Sequence, residues 1–273
     1  MATSVSFERA SNYYDATRGL PLEVSQQVTN AILEIVAATP ETRFLEVGVG
    51  TGRIALPIVE RGFAYTGVDI SENMLNELRQ KLAGKSHRLV LLNADATDLP
   101  FENASFDVVL AVHVLHLIPD WRQALAAIRR VLKPGGVYLF SHGSINVEPC
   151  EEDVAQKRAE VNQQWKAILA NYGYELKTYG AKADEVVAEL TAQGAKLDTI
   201  VAARWKSDLT IAELLTRFEN QLYSRCWQVP DDIFPRAIQD LRTWAQQYFS
   251  NLNAPLSDTA QFKLLVVRDW AGF

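Results

Sequence analysis

A glycine-rich loop between a short apolar strand and a helix constrains this chain more than any other feature. The predicted strand is RFLEV (43–47), the loop contains Gly48, Gly50 and Gly52, and helical spacing follows from 53 to 61. Glycines let a backbone approach a ligand closely, and the N–H groups of a helix N-terminus attract its anionic part. The same three glycines also suit a plain tight turn, so their meaning depends on what surrounds them.

Strands and helices alternate through the first half of the chain. Further predicted strands are 65–69, 88–93, 106–111 and 137–141, with helices at 72–82 and 121–132 and another near the N-terminus at 22–38. Short strands that are apolar almost throughout are typical of a parallel sheet that is buried on both faces. The pattern therefore predicts an α/β fold, a Rossmann-like doubly wound sheet.

The second half of the chain is mostly helical and contains the last two strands. Helices are predicted at 151–172, 184–193, 211–223 and 231–250, and strands at 197–205 and 262–269. We expect a seven-stranded, mostly parallel sheet with helical lid insertions in one domain, residues 1–273. Within it, 1–40 is predicted as an N-terminal helical lid segment, 41–143 as the cofactor-binding core, and 144–273 as the helical cap with the final strands.

Composition narrows the class of protein. Acidic residues outnumber basic ones by 33 to 27, a net charge of −6, so no broad positive field attracts nucleic acid. The longest apolar run, 108–118, is shorter than the ~20 residues of a membrane span. The N-terminus lacks a secretory pattern, and Cys150 and Cys226 lack metal or disulfide spacing. We expect a cytoplasmic protein with no nucleic-acid partner, no membrane association and no metal.

Acidic residues follow the predicted strands on the side of the glycine loop. Asp69 ends the second strand, where a carboxylate can accept both hydroxyls of a ribose, and Asp95 follows the third. Glu46 lies in the first strand, just before the loop. A dinucleotide site usually reads G-x-G-x-x-G, whereas position 53 here is arginine. Three carboxylates suit an adenosine that carries a cation better than a pyrophosphate.

In these motifs the chain resembles a class I S-adenosylmethionine-dependent methyltransferase, similar to the ubiquinone and menaquinone biosynthesis type. The resemblance rests on EVGVGTGR (46–53), VDIS (68–71), the run from 93 to 118, and RRVLKPGG (129–136). It implies S-adenosylmethionine as cofactor. The cofactor-binding residues that it implies are Glu46, Gly48, Gly50, Gly52, Asp69, Ile70, Met74, Asp95, Ala96 and His113. The segment YYDATRG (13–19) resembles the family's entry segment over the cofactor, which adds Tyr14 and Arg18.

The sulfonium of such a cofactor is already an excellent leaving group, so the protein mainly aligns the acceptor. A base is needed only for a protonated acceptor, and His113 and His116 are the catalytic candidates, with His142 a further one. We expect methyl transfer to a small organic molecule by a monomer or homodimer. The alternatives are an NAD(P)-binding oxidoreductase and a non-catalytic regulatory protein that binds S-adenosylmethionine.

Overall fold

A computed structural model describes residues 7–8, 11–141, 147–148 and 152–270 of the chain. The chain divides into two compact units. The first unit comprises residues 1–146, 179–203 and 262–273, and the second comprises 147–178 and 204–261.

Helices and strands alternate in the described chain. The helices are α1 (Ser11–Arg18), α2 (Leu22–Ile35), α3 (Ala55–Val59), α4 (Glu72–Leu82), α5 (Trp121–Val131), α6 (Glu152–Asn171), α7 (Ala183–Ala192), α8 (Ile211–Glu219) and α9 (Phe234–Tyr248). The strands are β1 (Arg43–Val47), β2 (Ala64–Asp69), β3 (Leu89–Asn93), β4 (Phe106–Val112), β5 (Leu132–Ser141), β6 (Val147–Glu148), β7 (Lys196–Leu209) and β8 (Leu256–Arg268).

The first unit is built on a sheet with the order β3-β2-β1-β4-β5-β8, and β7 pairs with β8. Strands β1 to β5 are parallel to their neighbours, while β8 runs antiparallel to β5. The predicted α/β Rossmann-like fold with a mostly parallel sheet is confirmed, and all seven predicted strands are present. The two-residue β6, which pairs with β8 inside the second unit, was not predicted.

Burial explains why these segments form a two-faced sheet. Phe44, Leu45 and Val47 in β1 are each fully buried, as expected for a central strand that is covered on both faces. On α5, by contrast, the buried residues recur at helical spacing along one face, which packs into the same core while the other face meets solvent. The sequence pattern and the packing therefore agree in the first unit.

The boundaries differ from the prediction in two places. The N-terminal segment forms α1 as a separate helix before α2, which ends at Ile35. Strand β5 begins at Leu132 and continues through KPGG, which was predicted as the stop after the helix. Gly136 permits this, because a Cβ there would lie 2.9 Å from the carbonyl oxygen of Asp107, and the β4–β5 register shifts between Phe106 and Val108.

The second unit has its own apolar core, built largely by helices α6, α8 and α9. Trp165 of α6 is fully buried there, with its ring edge-on to Phe218 at 5.4 Å and to Phe234 at 6.0 Å between ring centroids. Edge-to-face packing of large aromatic rings is a strong contribution to such a core. Trp165 thus has the packing role that its helical spacing indicates.

Candidate functional site

A cavity of about 680 Å³ opens at the carboxyl ends of β1, β2, β3 and β4 in the first unit. This edge of a doubly wound sheet is where ligands bind, because the loops diverge on either side of the central strands. The residues that line it are Phe7, Tyr14, Val47, Gly48, Gly50, Val68, Asp69, Ile70, Met74, Ala94, Asp95, Ala96, Val112, His113, Val114, Leu117 and Ile118.

The three glycines of the loop after β1 have positive φ angles, yet they have different surroundings. A Cβ on Gly48 would lie 2.5 Å from the Val114 side chain, and one on Gly52 would lie 2.4 Å from Leu78. A Cβ on Gly50 would meet nothing within 4 Å. Gly48 and Gly50 line the cavity, whereas Gly52 is buried against helices α3 and α4 and does not line it.

The Asp69 carboxylate is held at the cavity by two backbone donors. The Gly50 N–H donates to Oδ2 and the Ser71 N–H to Oδ1, each at 2.9 Å. Burial raises the pKa of Asp69 above its usual range, and the N–H donors from Ser71 and Gly50 oppose that shift. Each oxygen keeps a second acceptor position, so the side chain is oriented but remains able to bind hydroxyl groups.

Glu46 lies in β1 and does not line the cavity. Its side chain is 2% exposed, and Oε2 accepts a hydrogen bond from the Tyr65 hydroxyl at 2.9 Å. Burial raises the pKa of Glu46 to about 8, while the hydrogen bond from Tyr65 and the charge of Arg53 act in the opposite direction. The structure therefore places this predicted binding residue in the protein interior.

The residues predicted to hold an adenine lie together on one side of the cavity. Ile70 and Met74 follow β2, and Asp95 and Ala96 follow β3. Met74 is buried and its N–H is bonded to the Ser71 hydroxyl that caps α4, at 3.2 Å. Asp95 accepts from the Thr97 N–H and hydroxyl on Oδ1, at 2.9 and 2.8 Å, which orients the carboxylate.

Of the predicted histidines, His113 reaches the cavity and His116 does not. His113 has a φ of +58°, rare for a residue with a side chain, and its N–H donates to the Ser141 carbonyl at 2.8 Å. His116 lies in a short 3-10 turn, and its carbonyl accepts the Gly180 N–H at 3.0 Å. His142 lies outside the described residues.

The N-terminal segment contributes one wall of the cavity. Phe7 and Tyr14 line it, with their rings edge-on at 5.9 Å between centroids. Arg18 does not line it, and its carbonyl accepts a hydrogen bond from the Arg53 guanidinium at 3.0 Å.

Sequence reasoning missed most of the apolar wall. The lining residues that were not singled out are Phe7, Val47, Val68, Ala94, Val114, Leu117 and Ile118. No motif marks them, because an apolar residue after a strand looks the same whether it packs in the core or faces a ligand.

Two searches of the described ranges, 7–8, 11–141, 147–148 and 152–270, concern metals and membranes. Neither a group of three or more His, Cys, Asp or Glu that could hold a metal ion nor a helix long and apolar enough to cross a membrane is found in them.

Comparison with known proteins gives consistent relatives. Residues 45–140 match the family described as "Methyltransferase domain". A demethylmenaquinone methyltransferase from Clavibacter sepedonicus is 37% identical over 134 residues, 49% of this chain and 54% of that protein. A fatty-acid O-methyltransferase from Mycolicibacterium smegmatis is 29% identical over 197 residues, 68% of this chain and 66% of that protein. The matches thus span about half to two thirds of these relatives.

Solved structures show the same fold at low identity. The YcgJ protein from Bacillus subtilis covers 90% of this chain and 100% of its own, with a TM-score of 0.58 and 19% identity. A phosphoethanolamine N-methyltransferase from Haemonchus contortus, solved in complex with S-adenosyl-L-methionine, covers 97% of this chain and 60% of its own, with a TM-score of 0.54 and 18% identity. Residues 45–140 therefore belong to the methyltransferase domain family, of the class I type whose cofactor is S-adenosylmethionine.

Proposed function

We propose that this chain transfers a methyl group from S-adenosylmethionine to a small organic acceptor. One observation carries the proposal: a single cavity at the carboxyl edge of the sheet gathers Gly48, Gly50, Asp69 and Asp95 with the apolar pair Ile70 and Met74. These residues come from four different segments of the chain, and the fold brings them to one place.

The lining fits a nucleoside that carries a positive charge. Among the described residues it includes two carboxylates, Asp69 and Asp95, and no lysine or arginine. The space in front of Gly50 is open, so a ligand can approach the backbone there. A pyrophosphate would meet these carboxylates without a cation to balance it, which favours a sulfonium cofactor over NAD.

The roles of the residues follow from their places in the cavity. Gly48 and Gly50 would hold the methionine portion, and Asp69 would accept the ribose hydroxyls. Ile70 and Met74 would pack on the adenine, whose polar edge Asp95 and the Ala96 N–H would bind. The loop and Asp69 are already joined by a hydrogen bond, so two of these contacts are arranged before a ligand enters.

When bound, the cofactor supplies a methyl group on a sulfonium centre that needs no further activation. The task left to the chain is to hold the acceptor in line, which is worth up to about 7 to 11 kcal/mol as effective concentration. We propose that His113 accepts the acceptor's proton, since its backbone position at the cavity is constrained by the bond to Ser141. His116 is the weaker candidate because it does not line the cavity.

The acceptor is proposed from the apolar part of the wall. Val112, Val114, Leu117 and Ile118 follow one another along the segment after β4. An apolar wall suits an acceptor with a hydrophobic body, and the relatives named for demethylmenaquinone and for fatty acids are of that kind. The acceptor panel should therefore start with a fatty acid and a demethylated quinol.

The first experiment compares S-adenosylhomocysteine with NAD⁺ in thermal shift at equal concentration, because a ligand that binds only the folded state raises Tm. We expect stabilisation by S-adenosylhomocysteine alone. The second incubates the protein with methyl-labelled S-adenosylmethionine and the panel, with His113→Asn in parallel. Binding of NAD⁺ in preference would favour an oxidoreductase, and cofactor binding without transfer to any acceptor would favour a regulatory protein.

A further inference from the structure

Asp15 of α1 contacts the glycine loop and helix α4 at once. Its Oδ1 accepts a hydrogen bond from the Thr51 hydroxyl at 2.6 Å, and its Oδ2 is paired with the Lys81 ammonium. Thr51 lies between Gly50 and Gly52, and Lys81 lies in the last turn of α4. A side chain near the N-terminus thus joins two elements that follow it by 36 and 66 positions.

The contacts close into a triangle. Lys81 also donates to the Thr51 carbonyl, at 2.7 Å, so each of the three residues contacts the other two. We call Asp15, Thr51 and Lys81 the α1 latch. The hydrogen bond from Arg53 to the Arg18 carbonyl, at 3.0 Å, adds a second link between α1 and the segment after the loop.

The latch stands directly beside the cavity. Tyr14, next to Asp15, lines it, and so does Gly50, next to Thr51. The latch therefore connects the segment that forms one wall of the cavity to the loop that would hold the methionine portion of the cofactor.

The strength of the latch suits a contact that opens during turnover. The side chains of Asp15 and Lys81 are 49% and 29% exposed, and an ion pair between such groups adds little by itself. Thr51, however, is 1% exposed, so its hydroxyl has few solvent alternatives to the Asp15 carboxylate. A link of this size keeps a cover closed for most of the time and still lets it open on the timescale of ligand exchange.

We propose that the α1 latch holds α1 closed over the bound cofactor, and that its opening sets the rate at which S-adenosylhomocysteine leaves. The inference rests on the cofactor site described under the proposed function. Asp15 is a positioning residue in this scheme, since it acts through α1 and Tyr14 rather than on the reacting atoms. Release of the product, and not its capture, is the step that the latch controls.

The test measures S-adenosylhomocysteine dissociation by stopped flow for the wild type, Asp15→Asn, Thr51→Val and Thr51→Ser. We expect Asp15→Asn and Thr51→Val to release the ligand about 10- to 100-fold faster, the range for losing one hydrogen bond to a charged group. Thr51→Ser keeps the hydroxyl and should restore slow release. The matched control is Glu60→Gln, which removes the exposed ion pair with Lys85 elsewhere in the same unit.

A second measurement reports on α1 directly. Trypsin cleavage after Arg18 should slow when S-adenosylhomocysteine is added to the wild type and should remain fast in Asp15→Asn. If Asp15→Asn does not fold, Lys81→Met replaces it with the same expectation. Release rates in the latch variants equal to those in Glu60→Gln would overturn the latch and leave the cofactor site standing, whereas a wild type that does not bind the ligand would overturn both.

Discussion

The floor and the cover of the cavity are held in opposite ways. We define the floor as the loop Gly48–Gly52 with Asp69, and the cover as Phe7 with α1. The floor is joined by backbone hydrogen bonds: the N–H groups of Gly48 and Val49 donate to the Val68 carbonyl at 2.8 and 3.0 Å, and Gly50 donates to Asp69. The cover is held by the side chains of the α1 latch and by the bond from Arg53.

This difference assigns different tasks to the two regions. Backbone hydrogen bonds at a buried strand end leave the floor few alternative conformations, so its groups are arranged before a ligand arrives. Side-chain contacts that are partly exposed break at modest cost, so the cover can open. Changes in the floor should therefore alter stability or equilibrium affinity strongly, and changes in the cover should alter affinity weakly and act on exchange rates.

The largest effect is expected for Gly52→Val, because the floor has no room there. The new side chain would meet Leu78 and Leu56, at 2.4 and 3.1 Å from its Cβ, on a backbone with a φ of +86°. We expect a loss of about 3 kcal/mol or more in the free energy of unfolding, measured by urea denaturation. An unchanged midpoint would show that the loop is not packed as described.

Gly50→Val separates binding from folding at the neighbouring glycine. Its side chain would extend into open space at the cavity, so the protein should fold with a cost of only about 1 to 2 kcal/mol for the positive φ. Affinity for S-adenosylhomocysteine should fall at least ~100-fold, or about 2.7 kcal/mol, by isothermal titration calorimetry. Retained affinity would contradict the placement of the methionine portion at this glycine.

Asp69→Ala removes the floor's side chain for the ribose. We expect the dissociation constant of S-adenosylhomocysteine to rise by about 1.5 to 3 kcal/mol, the scale for hydrogen bonds to a charged group. Asp98→Ala, an exposed aspartate outside the cavity lining, is the matched control. Equal affinities in the two variants would remove Asp69 from the site.

Glu46→Gln tests the buried support beneath the floor. Because the pKa of Glu46 is raised from 4.5 to about 8, the folded state keeps a proton that the unfolded chain has lost between these values. The free energy of unfolding should therefore fall as pH rises through that window, by up to about 1.4 kcal/mol per pH unit. The variant should flatten this slope in urea denaturation at a series of pH values, and parallel curves would argue against a buried, protonated carboxyl.

Tyr14→Ala probes the cover and should have the smallest effect. Tyr14 is only partly buried, and its recorded ring contact is the edge-on one with Phe7. We expect the affinity for S-adenosylhomocysteine to fall by less than 10-fold, about 1 kcal/mol, with no change in the midpoint of unfolding. A loss as large as that of Gly50→Val would erase the distinction between floor and cover.

Much of the first unit could be predicted because its signals are local. Apolar runs such as 43–47 and 106–111 indicated strands, and Ser71 indicated the start of α4, which the cap bond to Met74 bears out. The long β7 and the passage of β5 through KPGG could not be predicted. Those extensions depend on pairing with β8 and β4, and a partner strand leaves no trace in the local sequence.

The order of strands and loops along the chain was enough to bring Gly50, Asp69 and Asp95 to one edge, because parallel strands all end on the same side of a sheet. Only the tertiary structure decided which neighbours face the ligand. Gly50 opens on the cavity while Gly52 packs against Leu78, and Glu46 is buried below the loop. Likewise, Asp15 reaches Thr51 and Lys81 only after folding. The direction of a side chain depends on backbone angles and on packing partners far away in the chain, and no local motif encodes either.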